Sequence, residues 1–309
     1  MDTITKIRGK AGSKLKTIVL PEYDDARVAE AARLIEKEGI AKVVLLTRDK
    51  IDPKEKSRYI DEFYQMHKIK IPAMDDVKAL FNDTLYYGAM MAREGKVDGL
   101  VAGASHTTAD IARACIRCIG VEERISIVAS CFIMVVPNCP YGENGTFIFA
   151  DCGIIPDPNS RQTACIALAS AELITKVLDF TPRIALLSYS TKGSAKGREI
   201  EKISEALALL KGMAPGLLVD GELQVDAAVV PAVARIKYPG SPLGGKANVL
   251  IFPSLEAGNI SYKLVQWLGN ARALGPLFLG LNKPASDLSR GCSVEDVMDC
   301  VAVTATRAQ

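Results

Sequence analysis

Short apolar runs alternate with longer amphipathic ones along most of the chain. Residues 16–23, KTIVLPEY, read as a strand. Asp24 and Asp25 then offer an N-cap, and ARVAEAARLIEKEG carries apolar residues at helical spacing up to Gly39, a residue suited to ending a helix. AKVVLLT (41–47) is the next strand. A strand, an amphipathic helix and a strand in succession imply parallel pairing with a right-handed crossover.

The same alternation recurs. VDGLVAGA (97–104) is a strand ending in small residues, and TTADIARACIRCIG (107–120) is a helix with two hydroxyls in its first turn. ISIVASCFIMVV (125–136) is a nearly continuous apolar strand, the pattern of a sheet buried on both faces. RIALLSYS (183–190) is a further strand, followed by a turn rich in Gly and Lys and the helix GREIEKISEALALLKG (197–212). ANVLIFPSLEAGN (247–259) and SYKLVQWLGNAR (261–272) repeat strand, turn and helix, and SVEDVMDCVAVTATRAQ (293–309) is a closing amphipathic helix. The alternation predicts an α/β fold with helices on both faces of a mainly parallel sheet, and ligands bound outside the carboxyl ends of strands. Domain boundaries are expected near residue 125 and near Lys283–Pro284, and the pattern leaves open whether the last helix returns to the first domain.

Composition narrows the classes. The chain has 309 residues, which at ~150 residues per domain points to two domains. Its 49% hydrophobic and 24% charged residues exclude bulk disorder. With 38 basic and 36 acidic side chains the net charge is +2, so there is no electrostatic case for a nucleic-acid or membrane-surface partner. The start, MDTITKIRGKAGSKLK, has no apolar core of a signal peptide. The longest apolar stretch, Ile125 to Pro137, is interrupted by Ser126 and Ser130 and falls short of the ~20 residues that span a bilayer. A soluble cytoplasmic protein with reduced thiols is expected, despite its eight cysteines.

Common motifs are missing. There is no G-x-x-x-x-G-K-[ST], no G-x-G-x-x-G after a strand and no G-x-S-x-G. Cys115 and Cys118 form a lone C-x-x-C inside a predicted helix, where the spacing puts both thiols on one packed face. His67 and His106 are the two histidines, too few for a three-histidine metal site; no metal is expected.

Three segments can carry chemistry. In Gly103 to Arg113, a strand end leads to Thr107 and Thr108 at a helix start with Arg113 farther along, which reads either as a phosphate site or as a Thr N-cap beside a solvated Arg. In Ser188 to Lys196, the hydroxyls of Ser190 and Thr191 with Lys192 and Gly193 resemble a phosphate-cradling turn, against the alternative of an ordinary polar connection. In Lys283 to Asp296, a polar loop presents Ser289 and Arg290 just before a helix. Ser293 is its expected N-cap, and Asp296 stands where a capping box prefers Glu or Gln, so its alternative role is helix-start electrostatics.

A family resemblance covers the chain from about Leu20 to its end. LPEYDDARVAEAA, NDTLYYGAMM, VDGLVAGASHTTAD, ADCGI, LLSYSTKGSA, VDGELQVDAAVVP, ANVLIFPSLEAGNISYKLVQ and KPASDLSRGCSVEDV resemble the phosphate acetyltransferase family, more than the related phosphate butyryltransferases. The resemblance implies two three-layer α/β domains like those of isocitrate and isopropylmalate dehydrogenases, with the active site in the interdomain cleft. It implies a first domain of residues 1–125 plus 284–309 and a second of 126–283. It also implies a homodimer, without the N-terminal regulatory region that some longer members carry.

The implied reaction is acetyl-CoA plus phosphate giving CoA plus acetyl phosphate, reversibly. No bound cofactor or metal is implied, and coenzyme A is a substrate. Asp296 matches the proposed general base for the CoA thiol. Ser289 matches a residue that positions the thiol or stabilises the reacting oxygen, and Arg290 one that binds phosphoryl or carbonyl oxygens. Arg113 matches an arginine associated with CoA binding. The family's Arg-Lys-His-Lys-Gly run is replaced by the stretch Tyr64 to Ile71, where His67 stands at the place of a CoA-binding arginine.

A thiol of pKa ~8.5 and a carboxylate of ~3.9 are mismatched, so a desolvated cleft or a nearby arginine must narrow the gap. Direct attack in a ternary complex is expected, with Arg290 on the oxyanion. Cys139 is read as a passive, packed thiol. The other readings are a propionyl or butyryl transferase on the same scaffold and a non-catalytic CoA-binding subunit.

Overall fold

The computed structural model describes residues 2–309, which divide into two compact units. The first unit holds residues 2–121 and 281–309, and the second holds 122–280.

The chain begins in the first unit with α1 (Thr3–Ser13), β1 (Thr17–Leu20), α2 (Ala26–Lys37) and β2 (Lys42–Leu45). Asp25 caps α2 by accepting the Arg27 N–H at 2.9 Å, and Gly39 follows the helix with φ +65°. Three helices follow, α3 (Pro53–His67), α4 (Met74–Leu80) and α5 (Thr84–Arg93), then β3 (Gly99–Ala102) and α6 (Thr108–Cys118). Cys115 and Cys118 are buried on one face of α6, in keeping with packing.

The second unit runs β4 (Ala129–Val135), β5 (Thr146–Ala150), α7 (Ser160–Leu178), β6 (Arg183–Leu187), α8 (Arg198–Met213), β7 (Leu218–Leu223), α9 (Val225–Val229), α10 (Pro231–Lys237), β8 (Val249–Ile251), α11 (Leu255–Leu268) and β9 (Arg272–Leu279). Its strand order is β9-β4-β5-β8-β6-β7. The pairs β5/β8, β8/β6 and β6/β7 are parallel. The apolar strand β4 is antiparallel to both neighbours, β5 and β9. Its unbroken apolar character therefore reflects cover by helices, not parallel pairing. α7 packs against β5 and β9, and α11 packs against β4. The 19-residue α7 is buried on most sides, with Arg161, Glu172, Thr175 and Lys176 exposed, so only a narrow polar stripe marks it in the sequence.

The chain returns to the first unit with β10 (Ala285–Asp287) and α12 (Val294–Ala308). The first unit's strands lie in the order β2-β1-β3-β10, all parallel. Residues 297–306 of α12 are buried against β1, β3, α1 and α2. Arg8 of α1 holds the buried Asp299 of α12 at 2.7 Å. Burying that carboxylate is tolerable because the guanidinium and its N–H groups replace water.

Candidate active site

The turn from β10 to α12 carries Ser289, Arg290 and, one helical turn on, Asp296. Ser289 and Arg290 are exposed. The Ser289 carbonyl accepts the Cys292 N–H at 2.9 Å, and its Oγ accepts the Gly291 N–H at 3.3 Å. Ser293 Oγ accepts the Asp296 N–H at 3.1 Å, and the Asp296 carboxylate accepts the Ser293 N–H at 2.9 Å. The capping box forms with Asp in place of the preferred Glu or Gln. It fixes the Asp296 side chain at the positive end of α12, on the same turn as Ser289 and Arg290.

A second turn, between β3 and α6, is built around an anion that the chain supplies itself. Glu22, at the carboxyl end of β1, is only 2% exposed. One of its carboxylate oxygens accepts the N–H groups of Gly103 and Ala104, each at 2.8 Å. The other accepts the N–H groups of Ser105 at 2.9 Å and His106 at 3.0 Å, the Ser105 hydroxyl at 3.0 Å and His106 Nδ1 at 2.7 Å. The strand end therefore has the form expected of an anion site, but Glu22 already occupies its N–H groups. Burial pushes the Glu22 pKa up, and the hydrogen bonds from His106 and the turn outweigh it and bring the carboxyl down to about 2.

His106 bridges two carboxylates, with Nε2 at 2.8 Å from Asp83. Both ring nitrogens face acceptors, so the ring is an imidazolium. The bonds to Asp83 and Glu22 raise its pKa to about 10. Glu22, Asp24, Arg48, Thr84, Ser105 and His106 are among the residues around a polar pocket of about 440 Å³ at this end of the first unit.

The two turns are joined. Arg27 sends one N–H to the Ala104 carbonyl at 3.1 Å, and others to the carbonyls of Arg290 at 2.8 Å and Cys292 at 2.9 Å. Asp25 holds the same guanidinium at 2.7 and 3.0 Å. Thr108 donates its hydroxyl to Asp287 at 2.5 Å. Asp287 is 1% exposed, and burial pushes its carboxyl up to about 7. Gly103, at φ +126°, passes so close that a Cβ there would collide with the Asp287 carboxylate and the Leu288 N.

The remaining expected residues are distributed as follows. Thr107 caps α6 and shares Asp110, accepting its N–H at 3.2 Å and donating to its carboxylate at 2.6 Å. Arg113, half exposed on α6, pairs with Asp110 at 2.8 Å. His67, at the end of α3, donates Nε2–H to the Arg117 carbonyl at 2.8 Å and lies 4.5 Å from the Phe63 ring centre.

Ser190, Thr191 and Lys192 belong to the second unit. The Ser190 hydroxyl donates to the buried Glu222 at 3.1 Å, and Thr191 donates to Gln224 at 3.3 Å. Lys192 Nζ meets Asp220 at 2.8 Å and also donates to the Gly221 carbonyl. This turn is closed by carboxylates and an amide of its own unit.

Glu22, Arg27, Asp83, His106 and Asp287 had no assigned role in the sequence-based expectations. Their signal is weak because each depends on partners far away in the chain. Glu22 falls in a segment with a strand's pattern, and Asp287 in one that reads as a polar loop. A charged residue directly after a strand end was the one local hint.

Comparison with known proteins matches the family model described as phosphate acetyl/butaryl transferase over residues 2–305. A phosphate acetyltransferase of Thermoanaerobacterium thermosaccharolyticum is 45% identical, with all of both chains covered. One from Bacillus subtilis is 40% identical over 99% of each chain. Among solved structures, a phosphotransacetylase from Streptococcus pyogenes superposes with a TM-score of 0.91 at 36% identity, covering 99% of this chain and 98% of that one. A phosphotransacetylase from Staphylococcus aureus gives 0.88 at 37% identity, covering 100% and 98%.

Proposed function

The chain belongs to the phosphate acetyl/butaryl transferase family, and from that premise we propose that it is a phosphate acetyltransferase, moving an acetyl group reversibly between coenzyme A and phosphate. The observation that carries this reading is the end-to-end likeness, at 45% identity, to a protein named for that activity. The experiment is phosphate-dependent release of CoA from acetyl-CoA by purified protein. No release sinks the assignment. A higher kcat/KM for propionyl or butyryl phosphate than for acetyl phosphate moves it to the longer-chain reading, because one methylene in an apolar pocket discriminates by only ~1–3 kcal/mol.

In the direction that consumes acetyl phosphate, Asp296 takes the proton of the CoA thiol. The thiolate attacks the acetyl carbonyl carbon and forms a C–S bond. Arg290 and Ser289 stabilise the oxyanion of the tetrahedral intermediate. Its collapse breaks the bond between the acetyl carbon and the phosphate oxygen and releases phosphate. Coenzyme A is a substrate, and the steps assigned here use side chains alone, with no resident cofactor or metal.

A direct transfer, without an acetyl-enzyme, is favoured by the state of the thiols. Cys292 lies on the turn with Ser289 and Arg290, but burial pushes its pKa up to about 11. Burial likewise raises Cys115, Cys118 and Cys152. A thiol held this way offers little thiolate to an acyl donor.

Arg113 is proposed to meet a phosphate of CoA, beside Thr107 and Thr108 at the start of α6. Arg113→Ala should then raise the KM for CoA about 10-fold, the scale of one charge-assisted hydrogen bond. His67, Ser190, Thr191 and Lys192 are proposed as further contacts to CoA or phosphate; each is held by a protein partner, as Arg113 is by Asp110.

We also propose a homodimer through α11. Its exposed face carries Ile260, Leu264, Trp267 and Leu268, the last two 77% and 82% exposed. Beside it is an apolar pocket of about 360 Å³, lined by Leu264, Val265, Val225, Val229 and Phe252 among others. A protruding indole beside an apolar hollow suits a two-fold contact, in which each copy offers the same patch to the other. No described helix is long and apolar enough to cross a membrane. A cytoplasmic location and the absence of nucleic-acid or membrane partners belong to the same proposal, in line with the net charge of +2.

A further inference from the structure

We propose that Glu22 is a positioning residue for the Ser289–Arg290 turn, acting through the β3–α6 turn that its carboxylate fills. The inference rests on the reading of Ser289 and Arg290 as groups of the reacting centre.

Four consecutive N–H groups, Gly103 to His106, point at one buried carboxylate. Consecutive amides aimed at one point make an anion-binding concavity. Here the anion is a side chain of the neighbouring strand's end, so the shape of the turn is set by Glu22. His106 adds a fixed positive charge against the same carboxylate and ties it to Asp83 at the start of α5.

The filled turn is in turn the surface against which the Ser289–Arg290 turn is laid. Gly103 leaves no space for a side chain between its own Cα and the Asp287 carboxylate and Leu288 backbone. The Ala104 carbonyl shares the Arg27 guanidinium with the carbonyls of Arg290 and Cys292. Thr108 bonds Asp287, two residues before Ser289. Glu22 reaches the Ser289–Arg290 turn through these three links.

Glutamine at position 22 tests this with little change of shape. Each carboxylate oxygen of Glu22 accepts N–H donors, so an amide must turn its NH₂ toward at least two of them, whichever way it flips. The turn must then shift, and a displacement of about 1 Å at a reacting centre can cost on the order of 100-fold in rate.

The experiment compares Glu22→Gln, His106→Ala and Arg290→Ala with the wild-type protein. Turnover of acetyl phosphate with CoA is divided by the number of CoA-binding sites counted by calorimetry, so that loss of folded protein does not imitate a positioning defect. The expected result is a kcat about 10- to 100-fold lower in Glu22→Gln, with CoA Kd within threefold of wild type. His106→Ala, which keeps the carboxylate, should lower kcat at least fivefold and serves as the test if Glu22→Gln does not fold. A folded Glu22→Gln with kcat less than tenfold below wild type overturns the inference, as does His106→Ala less than fivefold below when Glu22→Gln does not fold. An inactive Arg290→Ala beside such a result leaves the catalytic reading intact. Wild-type turnover in Arg290→Ala defeats that reading, and the positioning role with it.

Discussion

Arg27 donates an N–H of its guanidinium to the main-chain carbonyl of Arg290 at 2.8 Å, so one arginine holds the backbone from which the other projects. The same fork reaches the Cys292 and Ala104 carbonyls, and a lysine cannot span three acceptors from one planar group. Arg27→Lys and Arg27→Ala should therefore both lower kcat about 10-fold or more. Steady-state kinetics with acetyl phosphate and CoA check this. An Arg27→Lys protein with more than half the wild-type kcat would show that the fork is dispensable.

Asp296→Asn separates the cap from the chemistry. An amide oxygen can still accept the Ser293 N–H, so the start of α12 is retained and the melting temperature should move by no more than a few degrees. Proton abstraction is lost, and kcat should fall about 100-fold or more. Asp296→Ala keeps Ser293 as the cap but also loses the reciprocal bond to the Ser293 N–H and the charge at the helix start, at about 0.5–1 kcal/mol of stability by thermal unfolding. Near-normal turnover in Asp296→Asn would reassign the base.

Asp287 gives a dependence of stability on pH with a definite sign. Burial raises its folded pKa to about 7 from an ordinary 3.8. Its contribution is full below the unfolded value and is lost as pH rises through 7, because the unfolded chain releases the proton first. His106, raised to about 10 from 6.5, loses its contribution over the higher range from 6.5 to 10. Glu22, lowered to about 2 from 4.5, contributes fully above 4.5 and loses its contribution as pH falls from there through 2. Thermal unfolding between pH 5 and 6, above the unfolded value of Glu22 and below that of His106, isolates Asp287. Asp287→Asn, which mimics the protonated acid, should flatten the decline across that interval by about 1 kcal/mol. The same slope in wild type and variant would remove Asp287 from the account.

Trp267→Glu places a charge at the most prominent part of the α11 face. Sedimentation should show dimer for the wild type and monomer for the variant at micromolar concentration. The helix is exposed there, so far-ultraviolet circular dichroism should not change. A variant that still sediments as a dimer would move the interface elsewhere.

The hydrophobic period made β1, α2, β2, β3, α6, β6, α8, β8 and α12 legible, because each has one buried and one wet side or is a short apolar run between turn residues. It did not reveal α7, whose exposed polar stripe is narrow, or β10, whose Ala-Ser-Asp is buried polar sequence. It did not disclose that β4 runs against both neighbours, since burial erases the alternation that distinguishes pairing directions. Ser289, Arg290 and Asp296 lie within eight positions of one another, so a local motif could carry them. Glu22, His106 and Asp83 meet from three separate segments, and Thr108 meets Asp287 across 179 positions. Nothing local distinguishes such residues from solvated ones. The segment Gly103 to Arg113 reads from sequence either as a phosphate site or as a Thr N-cap; that the amides of residues 103–106 take the Glu22 carboxylate depends on the packing of β1 beside β3.

The first unit is made from two stretches of chain separated by residues 122–280. During synthesis, β1, β2 and β3 emerge long before β10 and α12, the strand and helix that complete their sheet and cover it. At ribosomal speeds of ~5–20 residues per second, the early strands wait on the order of ten seconds or more with an apolar face uncovered. The second unit, continuous in sequence, is ready to fold in that interval. The early strands of the first unit thus stay open to aggregation for longer than those of the second, and the turn bearing Ser289 and Arg290 takes shape only when residues 281–309 arrive.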